Sequence, residues 1–326
     1  MVSAEKRAIR IVEISLLAAS ILLFIFAEIT GDTFYSRLAT EALIFGGLAL
    51  SVDLLLGLVG LLSLGQAFYF GFGAYLSAVM LKQVAPSFWL TMLVVLVTSA
   101  LLGWVTSYIA LRSRGVYFAL ITFGLAQVAA KVVYNTRALG ASDGMIGVPI
   151  LQIDFLFFRL DSSDPGQFFL LVFAVIALMY GVLRYITHTP MGAIWHGIRS
   201  NENRLAYVGF KSKGPKQVAF VIAAVIAAVS GALYPMLRGF VSPELLFFSV
   251  SGNAVVTAVL GGVGSLVGPL LGSVLLTFFK SVIGTWTVHH HIIIGTAFVI
   301  VVIFAPRGIL GALSKRLASG SDRKGE

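Results

Sequence analysis

Four long stretches of this chain contain no Asp, Glu, Lys or Arg, and they restrict the possible folds more than any other feature. The stretches are 54–81, 83–111, 245–279 and 281–306. A membrane-spanning helix needs about 20 consecutive apolar residues, so each stretch is long enough for one span. Charged residues make up only 11% of the chain, whereas soluble domains are about one-quarter charged. The sequence therefore predicts an all-α, polytopic membrane protein.

Polar residues, glycines and prolines divide the chain into about ten predicted spans of roughly membrane-crossing length. We interpret 1–326 as a single transmembrane domain with long loops at 135–165 and 188–216 and a tail at 307–326. The predicted spans run near 11–29, 42–62, 65–82, 88–111, 116–134, 166–187, 217–236, 251–263, 266–286 and 291–306.

The distribution of basic residues predicts the orientation of these spans. Most of the 23 Lys and Arg lie in 1–10, 112–114, 184–216 and 307–326. Because cytoplasmic loops carry an excess of Lys and Arg, both termini and the loop 188–216 are expected in the cytoplasm. The loop 135–165 is then external, and it contains Asp143, Asp154, Asp161 and Asp164.

The basic loop is the clearest candidate for a docking surface. Ser200 is expected to cap a short helix over 201–208, and Gly209 would end that helix in a left-handed turn. Leu205 and Val208 lie three residues apart and would form an apolar packing edge. Such a helix could transmit a push from a cytoplasmic motor. The alternative is a loop whose positive charge only fixes the topology.

Asp53 is a carboxylate within an otherwise uncharged predicted span. A charge at that depth costs about 2.5–3.5 kcal/mol on insertion scales, so it needs a partner or a wet cavity. We favour an interhelical hydrogen-bond anchor over a residue of the translocation path. The triplet His289, His290 and His291 is expected at the outer interface, because adjacent helical residues point in different directions and do not converge on one metal ion.

Two glycine-rich segments interrupt the apolar stretches, at 63–73 and 260–269. In transporters, corresponding breaks in the two halves of a chain mark discontinuous helices at the substrate path. The alternative is close helix packing, for which glycine is common in membranes. No phosphate-binding loop of the form Gly-x-x-x-x-Gly-Lys-Ser/Thr is present, so any ATP and Mg²⁺ would be bound by partner subunits and this chain is expected to bind no cofactor.

At several sites in order along the chain, the sequence resembles the second permease subunit of high-affinity branched-chain amino-acid ABC importers. The first matching block is 42–76, which resembles the family's Leu-Ser-Leu-Gly-(His/Gln)-Ala-x-Phe-x-Gly-x-Gly-Ala-Tyr signature over Leu62–Tyr75. The other blocks are Gly115–Leu120, Gly144–Pro149, Ala193–Gly209, Phe240–Glu244, Leu260–Pro269 and Phe304–Gly308. The chain departs from the family pattern at Asp53, Asn253, Arg204 and Leu205, where Asn, Glu and two alanines are more usual.

The resemblance implies a non-enzymatic import permease in a bacterial inner membrane. Its implied partners are a related permease, two cytoplasmic ATPases and an external substrate-binding protein. Related permeases carry branched-chain amino acids, urea, amides or aromatic acids. The predicted ATPase-coupling residues are Arg199, Ser200, Asn201, Glu202, Arg204, Leu205 and Gly209. The predicted translocation path contains Asp53, Gly65, Gln66, Gly71, Gly73, Asn253, Gly261, Gly262 and Gly264. The alternative function is an ATP-independent carrier or channel.

Overall fold

The computed structural model describes residues 33–149, 152–154, 159–162, 164–286, 295–296 and 308–311. The predicted spans 11–29 and 291–306, the histidine triplet and most of the tail lie outside these residues. Nine α-helices are found among the described residues between Thr33 and Trp286. They are α1 (Thr33–Asp53), α2 (Gln66–Val79), α3 (Phe88–Ala110), α4 (Val116–Asn135), α5 (Pro165–Thr187), α6 (Pro190–Tyr207), α7 (Lys213–Arg238), α8 (Phe248–Gly261) and α9 (Val267–Trp286).

Two of these helices continue in π-helical form. Leu54–Val59 extends α1, and Met80–Val84 extends α2. By length and composition, five helical segments of the described chain are able to cross a membrane: Thr33–Val59, Phe88–Ala110, Val116–Asn135, Pro165–Thr187 and Lys213–Arg238. Phe248–Gly261 and Val267–Ser281 are shorter apolar helices. The predicted all-α membrane architecture is confirmed.

The predicted start of the second span was wrong, because α1 begins at Thr33 and not near residue 42. The sequence interpretation placed the boundary after Arg37 and Glu41, since charged residues are costly in a span. The helix contains both residues, and Glu41 pairs with Arg238 at the end of α7, with 2.5 Å between Oε2 and Nη2. That ion pair offsets the cost of placing the Glu41 carboxylate in a membrane-spanning helix.

Helix α7 lies at the centre of the bundle and packs against α1, α2 and α3. Its small residues allow these neighbours to approach closely, as expected where no hydrophobic effect drives helix association. Ala224, Ala227, Ala228 and Ser230 are fully buried. A Cβ atom at Gly231 would overlap the carbonyl group of Phe70 on α2. The packing role of this alanine-rich stripe follows from these contacts.

Two short antiparallel strand pairs lie outside the helices. Strand β1 (Met145–Ile146) pairs with β4 (Phe240–Val241), and β2 (Gln152–Asp154) pairs with β3 (Arg159–Asp161). The β1–β4 pair connects the loop 135–165 to the C-terminal end of α7. Helix α6 precedes the N-terminal end of α7, so α6 and the loop 135–165 lie at opposite ends of the bundle.

Candidate functional site

Helix α6 is amphipathic and is attached to the bundle by its buried face. It begins after Thr189 with Pro190 in the first turn, a position where the missing proline N–H costs no helical hydrogen bond. Gly192, Trp195 and Ile198 recur every three residues and are buried. The indole Nε1 of Trp195 donates a hydrogen bond of 2.9 Å to the Pro215 carbonyl at the start of α7. The opposite face of α6 is exposed.

The helix predicted over 201–208 is the second half of α6, after a kink at Asn201. The backbone of Asn201 is extended, with φ −167° and ψ 102°, and its Oδ1 accepts a hydrogen bond of 3.1 Å from the Arg204 N–H. Asn201 therefore caps this half-helix. The prediction of Ser200 as the cap was wrong, because the Ser200 hydroxyl donates back to the His196 carbonyl within the first half.

The end of α6 agrees only in part with the predicted packing edge. Gly209 has φ +88°, the left-handed conformation that ends a helix. Leu205 is half-buried and packs against the cluster of core residues, and it lies beside Gly197. Val208, in contrast, is 75% exposed, so it belongs to the outer surface and not to the edge that contacts the bundle.

Glu202 is held by the start of α7. Its Oε1 lies 2.6 Å from Lys216 Nζ and accepts a hydrogen bond of 2.6 Å from the Ser212 hydroxyl. Burial alone would raise the pKa of Glu202, but the hydrogen bonds from Lys216 and Ser212 and the charges of Lys216 and Arg114 lower that pKa below its ordinary value. Glu202 thus closes the turn between α6 and α7.

Arg199 connects α6 to the end of α1. Its guanidinium Nη1 donates a hydrogen bond to the Gly57 carbonyl, which belongs to the π-helical extension. Gly60 ends that extension with φ +81°, and a Cβ atom there would lie 3.2 Å from Arg199 Cγ. The glycine at this position therefore allows the arginine stem to lie against the backbone.

Asp53, fully buried in α1, anchors the turn between α8 and α9. Its Oδ1 accepts a hydrogen bond of 2.6 Å from the Gly264 N–H, and its Oδ2 accepts one of 3.0 Å from the Leu266 N–H. The turn needs such support because Gly262, Gly264 and Leu266 all have positive φ. Asp53 also has a cationic neighbour, Arg199, with which it interacts electrostatically. This neighbour could not be predicted from the sequence, in which Arg199 and Asp53 are 146 positions apart.

The first glycine-rich segment places the start of α2 against α1, α4 and α8. The Ala67 N–H donates to the Ser251 hydroxyl of α8 at 2.9 Å, and the Leu64 N–H donates to the Thr122 hydroxyl of α4 at 3.2 Å. Gln66 Oε1 lies 3.4 Å from the Ser51 hydroxyl. Within the part of the chain that the structure describes, the buried Gln66 Nε2 has no hydrogen-bond partner.

The structure divides the residues predicted to line the path. Asp53, Gly262 and Gly264 come together with Arg199 at the α8–α9 turn, whereas Gly65 and Gln66 lie at the start of α2. Three other glycines face neighbouring groups at close-packed contacts: Gly71 faces the Leu246 side chain, Gly73 the Ala228 carbonyl and Gly261 the Gly268 carbonyl. Asn253 lies apart from all of these, in a cavity at the opposite end of the bundle. The lining role of the set stays a prediction.

That cavity has a volume of about 690 Å³ and lies between α1, α7, α8 and α9. Within the part of the chain that the structure describes, its charged lining residues are Arg37, Glu41, Arg238 and Lys280. We did not predict this site from the sequence. The available signal was Lys280, a single cation between two charge-free stretches, because an ionisable residue within membrane segments is a functional-site hypothesis by default.

Sequence comparisons agree with this architecture. The sequence model of a family described as "Branched-chain amino acid transport system / permease component" matches residues 34–304. The high-affinity branched-chain amino acid transport system permease protein LivM of Salmonella typhimurium is 28% identical over 310 residues, which cover 89% of this chain and 73% of the relative. LivM of Escherichia coli is 28% identical over 84% of this chain and 69% of its own length.

A more distant relative belongs to the other named permease type. The probable branched-chain amino acid transport permease protein LivH of Methanocaldococcus jannaschii is 24% identical over 77% of this chain and 84% of the relative. No solved structure matches the chain. The matched range extends from α1 beyond α9 and contains both the α6 segment and the α8–α9 turn. The chain is a multi-pass membrane protein that belongs to the family of permease components of branched-chain amino acid transport systems.

Proposed function

We propose that this chain is a membrane permease subunit of an ATP-driven, binding-protein-dependent importer for branched-chain amino acids or related small solutes. The proposed assembly contains a second permease of the LivH type, two cytoplasmic ATPases that bind ATP and Mg²⁺, and an external binding protein. The chain itself carries out no catalysis. Both termini and α6 lie on the cytoplasmic side of the inner membrane in this proposal.

One observation carries the proposal: α6 presents one face outward, and residues of its other face are bonded to two separate segments of the permease. Arg199 contacts the π-helical end of α1, and Glu202 contacts the start of α7. A helix attached in this way moves as a unit with the segments it contacts. This is the property required of an element that transmits force from an ATPase to a translocation path.

The exposed end of α6 and the turn that follows it are better explained by contact with another protein than by a solvated loop. Tyr207 is 88% exposed, Val208 75% and Phe210 51%, and the cations Arg204 and Lys211 are exposed beside them. Aromatic and apolar side chains together with arginine are typical of protein interfaces. A loop whose positive charge only fixed the membrane topology would not need the three exposed apolar side chains.

The coupling residues therefore have two different roles in this proposal. Arg199 and Glu202 hold α6 on the permease, and Asn201 sets the kink that directs its second half outward. Arg204 and the exposed end of the helix contact the ATPase. The two groups of residues should therefore respond differently to substitution. Removal of the charge at Arg199 would change the position of α6 on the permease, whereas reversal of the charge at Arg204 would weaken the contact with the ATPase.

Reconstitution of the assembled complex in proteoliposomes tests the proposal. Uptake of L-leucine should require the external binding protein and internal ATP, and it should stop when the phosphate-binding lysine of the ATPase is replaced. A complex that contains the Arg204→Glu variant of this chain should lose the copurifying ATPase. A complex that contains the Arg137→Glu variant, changed at the other end of the bundle, should retain it. Leucine uptake by the chain alone, down its gradient and without ATP, would instead establish the carrier alternative.

A further inference from the structure

We propose that the cavity at the end of the bundle opposite α6 is an anion-binding site that receives the carboxylate of a small organic acid with an apolar body. The inference rests on the proposed function for its role, since it names a substrate class for the outer mouth of an importer. The cavity is large enough for such a solute, at about 690 Å³, because ligand pockets typically measure about 300–1,000 Å³.

The charge balance of the lining carries the inference. Among the lining residues that the structure describes, Arg37, Arg238 and Lys280 are three cations and Glu41 is the one carboxylate, so these four groups carry two net positive charges. Glu41 is already paired with Arg238 at 2.5 Å. Glu41 also interacts electrostatically with Lys280, so the net charge is shared by Arg37, Arg238 and Lys280 on α1, α7 and α9. A compact membrane cavity with such an imbalance attracts a counter-ion.

The other lining groups suit a carboxylate and its apolar body. Lys280 has two hydroxyl neighbours on α9, Thr277 one turn before it and Ser281 directly after it. Hydroxyl groups and an ammonium group together can donate to both oxygens of a carboxylate. The aromatic rings of Phe34, Phe45 and Phe240 also line the cavity and provide apolar surface for the rest of the solute.

The cavity lies at the end of the bundle where, in the proposed orientation, an external binding protein would deliver its solute. Its lining comes from the first turns of α1, from the end of α7 and from β4. Strand β4 pairs with β1 of the loop 135–165, so the cavity and this loop share one end of the bundle. Asn253, predicted as a path residue, is part of this lining.

The chain has no cysteine, which allows a direct test of the cavity's charge in the intact complex. Thr277→Cys would place a thiol in the cavity, and an anionic and a cationic methanethiosulfonate reagent would label it from the outside. Two unit charges at about 6 Å in water correspond to about a tenfold higher local concentration of a monovalent anion. The same charges lower the local concentration of a monovalent cation about tenfold, so the ratio of anionic to cationic labelling should be up to about a hundredfold higher at Thr277→Cys than at Ser162→Cys, which lies outside the cavity.

Two matched substitutions, each of which removes one positive charge, test whether the preference for the anionic reagent comes from the cavity. Lys280→Gln in the Thr277→Cys background should lower the ratio of anionic to cationic labelling several-fold. Lys131→Gln, which removes the same charge on α4 away from the cavity, should leave the ratio unchanged. Ser281→Cys offers a second reporter if Thr277→Cys does not fold. Equal ratios at the cavity thiol and at Ser162→Cys would overturn the inference.

Protection by a solute then tests the substrate class. The probes 4-methylpentanoate and 4-methylpentanamide have the same shape and differ in charge. The acid should slow labelling of Thr277→Cys and the amide should not, and Lys280→Gln should abolish the protection. Protection by the amide equal to that by the acid would overturn the proposal. Labelling needs no ATP hydrolysis, so failure of ATP-driven uptake would contradict the proposed function without affecting this result.

Discussion

The Asp53 carboxylate accepts a hydrogen bond of 2.6 Å from the backbone N–H of Gly264, a residue 211 positions later in the sequence. The same carboxylate binds the Leu266 N–H, and Arg199 of α6 lies close enough to interact with it electrostatically. One buried side chain therefore connects α1, the α8–α9 turn and the surface helix. A displacement of α6 would act on the turn through this connection.

Replacement of Asp53 should destabilise the α8–α9 turn in graded fashion. Asp53→Ala removes both acceptors and leaves two buried N–H groups without partners, which costs about 1–3 kcal/mol per group. Asp53→Asn keeps one acceptor oxygen and places an NH₂ donor against the other N–H, so its loss should be smaller than that of alanine. Hydrogen exchange at 264–266 and the thermal midpoint of the purified complex measure both effects.

The control for this series is a carboxylate on the exterior. Asp143→Asn, in the loop 135–165, should change neither the exchange at 264–266 nor the midpoint. Equal stability of the Asp53→Ala variant and the unmodified protein would show that the hydrogen bonds to Gly264 and Leu266 do not hold the turn.

The sequence predicted the helices well because charged residues close to the helix ends mark their boundaries. Helix α3 ends at Ala110 and the charge-free stretch ends one residue later, since charges are excluded from the membrane interior. The start of α1 could not be predicted in the same way. Its position depends on a contact between Glu41 and Arg238, 197 positions apart, and no local pattern contains that information.

The α6 segment was predicted in location but not in geometry. The basic composition of 188–216 indicated a polar surface segment, and the turn at Gly209 follows from local chemistry. Ser200 and Asn201 are both good caps, and the choice between them depends on where α6 bends over the bundle. The cationic cavity was missed because Arg37, Arg238 and Lys280 are isolated in sequence and meet only when four helices pack.

The ion pair between Glu202 and Lys216 should hold the end of α6 in a pH-dependent way. Because the pKa of Glu202 is lower in the folded protein than its ordinary value, the pair contributes stability above an ordinary pKa of about 4.3. That contribution is lost as the pH falls through the lower folded value. Hydrogen exchange over 199–213 should therefore rise under acidic conditions, and Glu202→Gln should remove this dependence.

The size of the stabilisation by the Glu202–Lys216 ion pair and its dependence on charge can be measured separately. A partly exposed pair contributes about 0.2–1 kcal/mol, so the change should be confined to α6 and leave the unfolding of the bundle unaltered. Either Glu202→Lys or Lys216→Glu alone should increase exchange over this segment, and the double exchange of charges should restore protection. Failure of the double variant to regain protection would assign the contact to hydrogen bonding by Ser212 and not to the ion pair.

Two glycines in helix interiors should respond in opposite directions to alanine. A Cβ atom at Gly73 in α2 would overlap the Ala228 carbonyl of α7, whereas a Cβ atom at Gly124 in α4 would meet nothing within 4 Å. Gly124→Ala should be neutral or stabilising by up to about 1 kcal/mol, because alanine has the higher helix propensity. Gly73→Ala should lower the thermal midpoint, because overpacking typically costs about 1–3 kcal/mol. A raised midpoint for Gly73→Ala would contradict the close approach of α2 and α7.

The two ends of the bundle should be accessible from opposite sides of the membrane. Since the chain has no cysteine, Ser200→Cys on α6 and Ser162→Cys after β3 each provide a single thiol. A membrane-impermeant maleimide added to intact cells should label Ser162→Cys within minutes and should label Ser200→Cys only after permeabilisation. This follows from the excess of basic residues around α6. Labelling of both thiols in intact cells would contradict the proposed orientation and, with it, the docking of a cytoplasmic ATPase on α6.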